Sequence, residues 1–223
     1  MDKRIKTSLL LLISLLSLPL SAQTFGLKAG LSLSNMQITS TGGSLYTLDF
    51  KEKPGFHFGP TLDIPISKIL SIEPGVIFTT KGMMYSETDY DYKATAKFNL
   101  YYIDVPLNFK ASFDLGPVTL FGTLGPYVGV GIKGNLLAEE KDEGFVEKET
   151  EEIKWGNAQG ALLKRLDIGL SAGAGIELYS ILLGISFDHG LNNIQTAEST
   201  ERTGTMYRNW GLKFSLGYRF GKR

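Results

Sequence analysis

Eight segments of this chain alternate apolar and polar residues with a period of two, and every charged side chain within them falls on the polar parity. The segments begin near Phe25, Phe56, Ile72, Tyr101, Val118, Ile168, Leu183 and Trp210. In the first, Phe25, Leu27, Ala29, Leu31 and Leu33 share a face; in the last, Trp210, Leu212, Phe214, Leu216, Tyr218 and Phe220 do. The other parity carries Lys28, Asp63, Glu73, Lys81, Asp104, Lys110, Lys133, Asp167, Glu177, Asp188, Lys213 and Arg219. Successive strand residues point to opposite faces, so the pattern asks for a sheet with one unbroken apolar face and one charged face. A water-soluble sandwich also alternates, but it turns its charges to solvent. Which face meets the surroundings therefore decides what the protein is.

The N-terminus points to export. Lys3, Arg4 and Lys6 precede an apolar run from Ser8 to Leu20, and Leu20-Ser21-Ala22 before Gln23 reads as a cleavage site. The expectation is a secretory signal peptide at residues 1–22, shorter than a usual spanning helix. Removing Asp2, Lys3, Arg4 and Lys6 takes a net +2 from a chain of formal charge zero, leaving residues 23–223 near −2. The absence of Cys rules out a disulfide framework and a lipidated N-terminal Cys. There is no basic, aromatic-laced patch for nucleic acid. Past residue 22 no apolar run approaches the about 20 residues that a membrane helix requires. An exported chain of this kind that enters lipid does so as strands, and strands in lipid close into a barrel.

The connections alternate in length. Gly42-Gly43 signals a long first hairpin, and Ser67-Lys68-Ile69 is a short turn. Met83 to Lys97 is a loop carrying Tyr85, Tyr90 and Tyr92, and Asp114-Leu115-Gly116-Pro117 is tight. Residues 134–165 read as the longest loop, and its stretch from Ala138 to Ile153 carries Glu139, Glu140, Asp142, Glu143, Glu147, Glu149, Glu151 and Glu152 against Lys141 and Lys148. A quick turn at Tyr179-Ser180 and a polar loop from Asn192 to Arg208 complete the set. Short turns on one side and long polar loops on the other are the mark of a bacterial outer-membrane barrel. The fold class is therefore all-β: an eight-stranded antiparallel up-and-down transmembrane β-barrel with short periplasmic turns and long extracellular loops, spanning residues 23–223.

Trp210 to Phe220 is the right length for a tilted spanning strand, about 9–11 residues. A basic residue facing mid-bilayer lipid costs about 2–4 kcal/mol, which explains why the apolar faces carry none. Phe25, Phe109, Tyr179, Tyr218 and Phe220 lie toward the inner end, and Phe78, Tyr101, Phe187 and Trp210 toward the outer end, as two aromatic girdles. Eight strands leave a lumen that side chains fill. Buried charges need partners, so Lys28, Asp63, Glu73, Lys110, Glu177 and Arg219 are expected to form an ion network that plugs the periplasmic end. Inward Gly125, Gly129, Gly131, Gly169, Gly173 and Gly175 leave room for Phe121, Tyr127 and Tyr102. Pro60, Pro65, Pro74, Pro106 and Pro126 resist regular pairing and mark bulges or local breaks.

Catalytic signals are poor. The two histidines are His57, facing inward, and His189, whose neighbour Asp188 points to the opposite face. No base and nucleophile share a lipid-facing surface, as a deacylase would want. The reading is non-enzymatic, with no catalytic, cofactor or metal site. The acidic third loop offers weak contact for divalent cations, since hard cations prefer carboxylates, but it lacks the spacing of a dedicated site; a solvated charge run is the plainer interpretation.

GLKAGLSLSNM after the leader, YYIDVPLNFK, FGTLGPYVGVG, DHGLNNI and the terminal LGYRF resemble the small outer-membrane β-barrel family abundant in Bacteroidetes, labelled porin family or PorT-like. The resemblance spans the mature chain. It implies an eight-stranded barrel in the outer membrane, inserted by the barrel-assembly machinery and surrounded by lipid and lipopolysaccharide. Gly221-Lys222-Arg223 after Phe220 departs from the terminal aromatic residue of many such barrels. Three roles follow as alternatives: a monomeric structural or surface-interaction barrel with a plugged lumen, a narrow diffusion channel, or a PorT-like accessory of protein secretion.

Overall fold

A computed structural model describes residues 23–40, 50–89, 92–142, 145–156, 160–197, 201 and 204–221. The expected leader at 1–22 and the turn at Gly42-Gly43 lie outside the described residues. Twelve strands form: β1 (Thr24–Ser40), β2 (Phe50–Lys51), β3 (Lys53–Pro65), β4 (Leu70–Pro74), β5 (Ile77–Lys81), β6 (Met84–Asp89), β7 (Tyr92–Asp114), β8 (Val118–Asp142), β9 (Phe145–Glu152), β10 (Leu166–Leu178), β11 (Ile181–Gly190) and β12 (Thr205–Phe220). β4 and β5 share one wall position. The ring runs β1, β3, β4/β5, β7, β8, β10, β11, β12 and closes where β12 pairs with β1, from Phe25 opposite Phe220 to Ser40 opposite Thr205. This is an eight-position antiparallel barrel.

Its burial is inside out. Leu31 is 69% exposed and Leu216 58%, with most of the apolar parity around the ring, while Glu73, Asp104, Lys110, Asp167 and Glu177 are buried. A water-soluble protein rarely exposes so continuous an apolar band; in lipid that band is the favourable surface. Aromatic rings meet at both rims. Phe25 and Phe220 lie 5.6 Å apart at the inner rim, and Phe78–Tyr101 and Phe187–Trp210 lie 6.2 and 6.0 Å apart at the outer.

The prolines explain the split of β4 from β5. Pro74 ends β4, and the wall is bridged there by Gly75 N–H donating to Pro106 O (3.1 Å) and Val76 N–H to Pro60 O (3.0 Å). Proline lacks the donor that a ladder uses, so three of them at one level produce a break rather than a regular third strand.

Two loop expectations are corrected. Residues 134–165 are not one long loop: β8 runs on to Asp142 and returns as β9, with Glu140 opposite Glu147 and Glu139 opposite Lys148. Met83 to Lys97 likewise holds β6 and the start of β7, and β2 pairs with β6. Both are hairpins that continue the wall beyond the lipid. Water lies on both sides of such a strand, so neither parity need be apolar and the period-2 signal vanishes.

One member of the charged parity is also corrected. Tyr101 pairs with Lys133 but Tyr102 pairs with Gly131, leaving Ile132 as an extra residue. A bulge of this kind flips the parity beyond it. Lys133 is therefore exposed on the outside of the wall beside Tyr101, not in the lumen.

Candidate functional site

The lumen is occupied at three levels. Nearest the short turns, Lys28 of β1 bonds Glu73 of β4, and Lys110 of β7 bridges Glu73 (3.3 Å) and Asp63 of β3 (2.7 Å). Strand parity turns these four side chains inward, and adjacency of β1, β3, β4 and β7 brings them together. Arg219 of β12 pairs with Glu177 of β10 across β11, and its Nη2 also donates to Tyr179 O at 3.5 Å. The six residues singled out from sequence thus fall into a chain of four and a separate pair. Lys28, Glu73, Lys110 and Arg219 line a gap of only about 10 Å³ between them.

A second network in the outer half was not assigned from sequence, although its members were placed inward. Lys81 contacts Asp104 (3.0 Å) and Asp167 (2.9 Å), and Lys213 contacts Asp188 (2.5 Å) and Asp104 (3.6 Å). Asn209 and Tyr127 also donate to Asp167, at 3.0 and 3.4 Å. The Lys81 ammonium sits over the rings of Tyr102 (4.8 Å) and Tyr127 (4.5 Å). A fully buried carboxylate such as Asp167 is tolerable only with this many donors. Room for the aromatic rings comes from glycine. A Cβ on Gly169 would lie 2.5 Å from Tyr127, and one on Gly175 would lie 2.4 Å from Phe121.

Above this network the mouth is closed by an apolar lid. Residues beyond β9 and between β11 and β12 fold across it, packing Ile153, Trp155, Leu163 and Ile194 on Met36, Met83, Leu100 and Tyr102. Trp155 meets the Tyr102 ring edge-on at 5.8 Å. Lys164 N–H donates to Ile194 O (2.6 Å) and Ile194 N–H to Tyr207 O (2.9 Å), which ties the lid's two segments to each other and to β12. The lid is the part that sequence reading missed. Its only trace is the alternation of Ile153 and Trp155 after the acidic run.

Between the two ionic levels lies a cavity of about 90 Å³ lined by His57, Phe121, Tyr127, Asp188, Lys213 and Ser215 among others. That is room for a handful of waters. His57 Nε2 and Ser215 Oγ are 2.9 Å apart across β3 and β12, a contact that strand-by-strand reading does not reveal. The other ring nitrogen, Nδ1, has no hydrogen-bond partner among the described residues, so no third group orients the imidazole as nucleophilic catalysis would require. Among the described residues no group of three or more metal-ligating side chains converges.

Several solved structures are similar to this chain. The attachment invasion locus protein Ail of Yersinia pestis is 15% identical, with TM-score 0.34, over 90% of this chain and 100% of that one. Neisserial surface protein A is 16% identical, with TM-score 0.40, over 88% and 97%. OprG of Pseudomonas aeruginosa is 12% identical, with TM-score 0.46, over 91% and 98%. No curated protein matches the chain. Residues 21–196 match the outer membrane protein beta-barrel domain, most of the length and nearly all of the ring just described. The chain belongs to that family, and its place is the outer membrane.

Proposed function

We propose that this protein is a non-conducting, non-enzymatic barrel whose lumen is a packed polar core and whose working surface is the set of extracellular hairpins. The observation that carries the reading is Lys110: 1% exposed and held by two carboxylates from neighbouring strands, it fills the inner end of the lumen. An aqueous channel would keep such groups hydrated. The buried His57, beside a half-buried Ser215 and with no partner on its Nδ1 among the described residues, supports a non-enzymatic role. The motifs shared with the Bacteroidetes porin-family and PorT-like barrels support a monomer exported by a cleaved leader and inserted by the barrel-assembly machinery.

Conductance in planar bilayers tests the proposal. The wild type is expected to give no stable open steps, and Glu177→Ala or Arg219→Ala alone should stay silent as well, because the apolar lid still closes the outer mouth. Stable steps from the wild type would overturn it in favour of a narrow diffusion channel. Loss of secreted proteins on deletion of the gene would instead favour a secretion accessory.

A further inference from the structure

The bulge in β8 turns one cation of the charged parity to the outside of the wall. Lys133 pairs with Tyr101, a member of the outer aromatic tier through its contact with Phe78. Girdle aromatics sit at headgroup level, so the exposed Lys133 ammonium emerges at that depth on the lipid side. Beside it, Arg165 precedes β10 and is pinned over the same bulge. Its Nη1 donates to Gly131 O at 2.8 Å, its carbonyl accepts from Gly131 N–H at 2.7 Å, and its guanidinium lies 5.9 Å from the Trp155 ring. Arg165 is exposed, and among the described residues neither it nor Lys133 is in an ion pair. Immediately below them Val130, Ile132 and Leu166 present apolar side chains outward.

Two exposed cations over an apolar strip, one of them held in place, complement a lipid with negative charge in its headgroup and acyl chains beneath. The long hairpins mark this rim as the outer one, so the lipid is that of the outer leaflet. We propose that Lys133 and Arg165 form a binding site for the phosphate groups of a phosphorylated outer-leaflet glycolipid. The bulge is what builds it: were Ile132 in regular register opposite Tyr101, Lys133 would fall opposite the buried Leu100 and point into the lumen. Arg165 supplies a planar donor fork and Lys133 a mobile point charge, a pairing suited to one phosphate and its neighbour.

The test uses the full-length protein in zwitterionic nanodiscs doped with diphosphorylated lipid A, dephosphorylated lipid A or phosphatidylglycerol, with retained lipid counted by native mass spectrometry. The wild type should retain the diphosphorylated form about tenfold over the dephosphorylated one, the scale of a pair of charge-assisted contacts. Lys133→Gln alone should lower that preference about threefold, and Lys133→Gln with Arg165→Gln should abolish it. Lys133→Arg should preserve it, and Lys148→Gln, a lysine on the distal hairpin, should not alter it. Because Arg165 also holds the bulge, Lys133→Gln is the deciding variant. Equal retention of the two lipid A forms, or an unchanged preference in Lys133→Gln, overturns the proposal. Phosphatidylglycerol retained as well as diphosphorylated lipid A, or displacement by millimolar inorganic phosphate, overturns the assignment to a glycolipid.

Discussion

The two ends of the lumen are closed by opposite chemistry. At the inner end, next to the short turns, closure is ionic: Lys28, Glu73, Lys110, Asp63 and the Arg219–Glu177 pair meet directly across the strands. At the outer end it is apolar, with Trp155, Ile153, Leu163 and Ile194 laid over Leu100 and Tyr102. The difference follows from where each set of side chains originates. The inner groups are fixed to the wall and must neutralise each other at whatever distance the ring imposes. The outer groups arrive on loops long enough to fold in, so they can exclude water by packing. A barrel can thus be stoppered by its own strands or by its connections, and this one uses both.

That contrast breaks most readily at Lys110. Lys110→Met leaves Asp63 without its lysine and removes one of the two cations on Glu73. A loss of up to about 3–5 kcal/mol, the scale for removing one partner from a buried ion pair, is expected as a lower urea midpoint for unfolding from lipid vesicles; an unchanged midpoint would mean ions do not hold the inner end. The next largest effect asks whether side of the wall, rather than position along the lumen, sets the tolerance for charge. Leu216, halfway between Trp210 and Phe220, faces lipid, and Leu216→Arg should cost about 2–4 kcal/mol in the same assay. The reverse change, Lys133→Leu, should not destabilise the barrel.

The lid is probed through glycine. A Cβ on Gly131 would lie 2.6 Å from the Trp155 ring. Gly131→Val should therefore displace Trp155 and cost about 1–3 kcal/mol, the range for overpacking. In a Trp210→Phe background, tryptophan emission should move to the red while bilayers stay silent, because the inner end remains shut. Emission that does not move would show that the lid accommodates the extra methyls. The smallest effect is expected at the hairpin tip, where Lys148 and Glu139 are 3.4 Å apart and largely exposed. Lys148→Ala should change stability by no more than about 1 kcal/mol, and that difference should fade in high salt.

The wall was legible in the sequence because lipid outside and ions inside enforce strict alternation along Phe25–Leu33 and Trp210–Phe220. The inward direction of Asp104, Asp167, Asp188 and Lys213 followed from the same rule. Their mutual contacts did not, since parity says which face a side chain takes and not which strands become neighbours at its depth. Lys133 was misplaced because a single inserted residue, Ile132, leaves no periodic trace of its own. The β8–β9 hairpin looked like a loop because its glutamates occupy both parities, as a strand bathed on both sides permits. The lid was invisible because Ile153, Leu163 and Ile194 are assembled by tertiary contact from separate irregular segments.

The seam between β1 and β12 makes the first and last strands each other's neighbours over sixteen consecutive pairings. The ring is consequently a clasp whose two halves lie far apart in the sequence. Until the last strand docks, β1 has no partner on that side, and β11 lacks its second neighbour. The barrel cannot be locked hairpin by hairpin; it shuts in one step, and a chain cut short before Trp210 would hold an open, adhesive edge on each side of the gap.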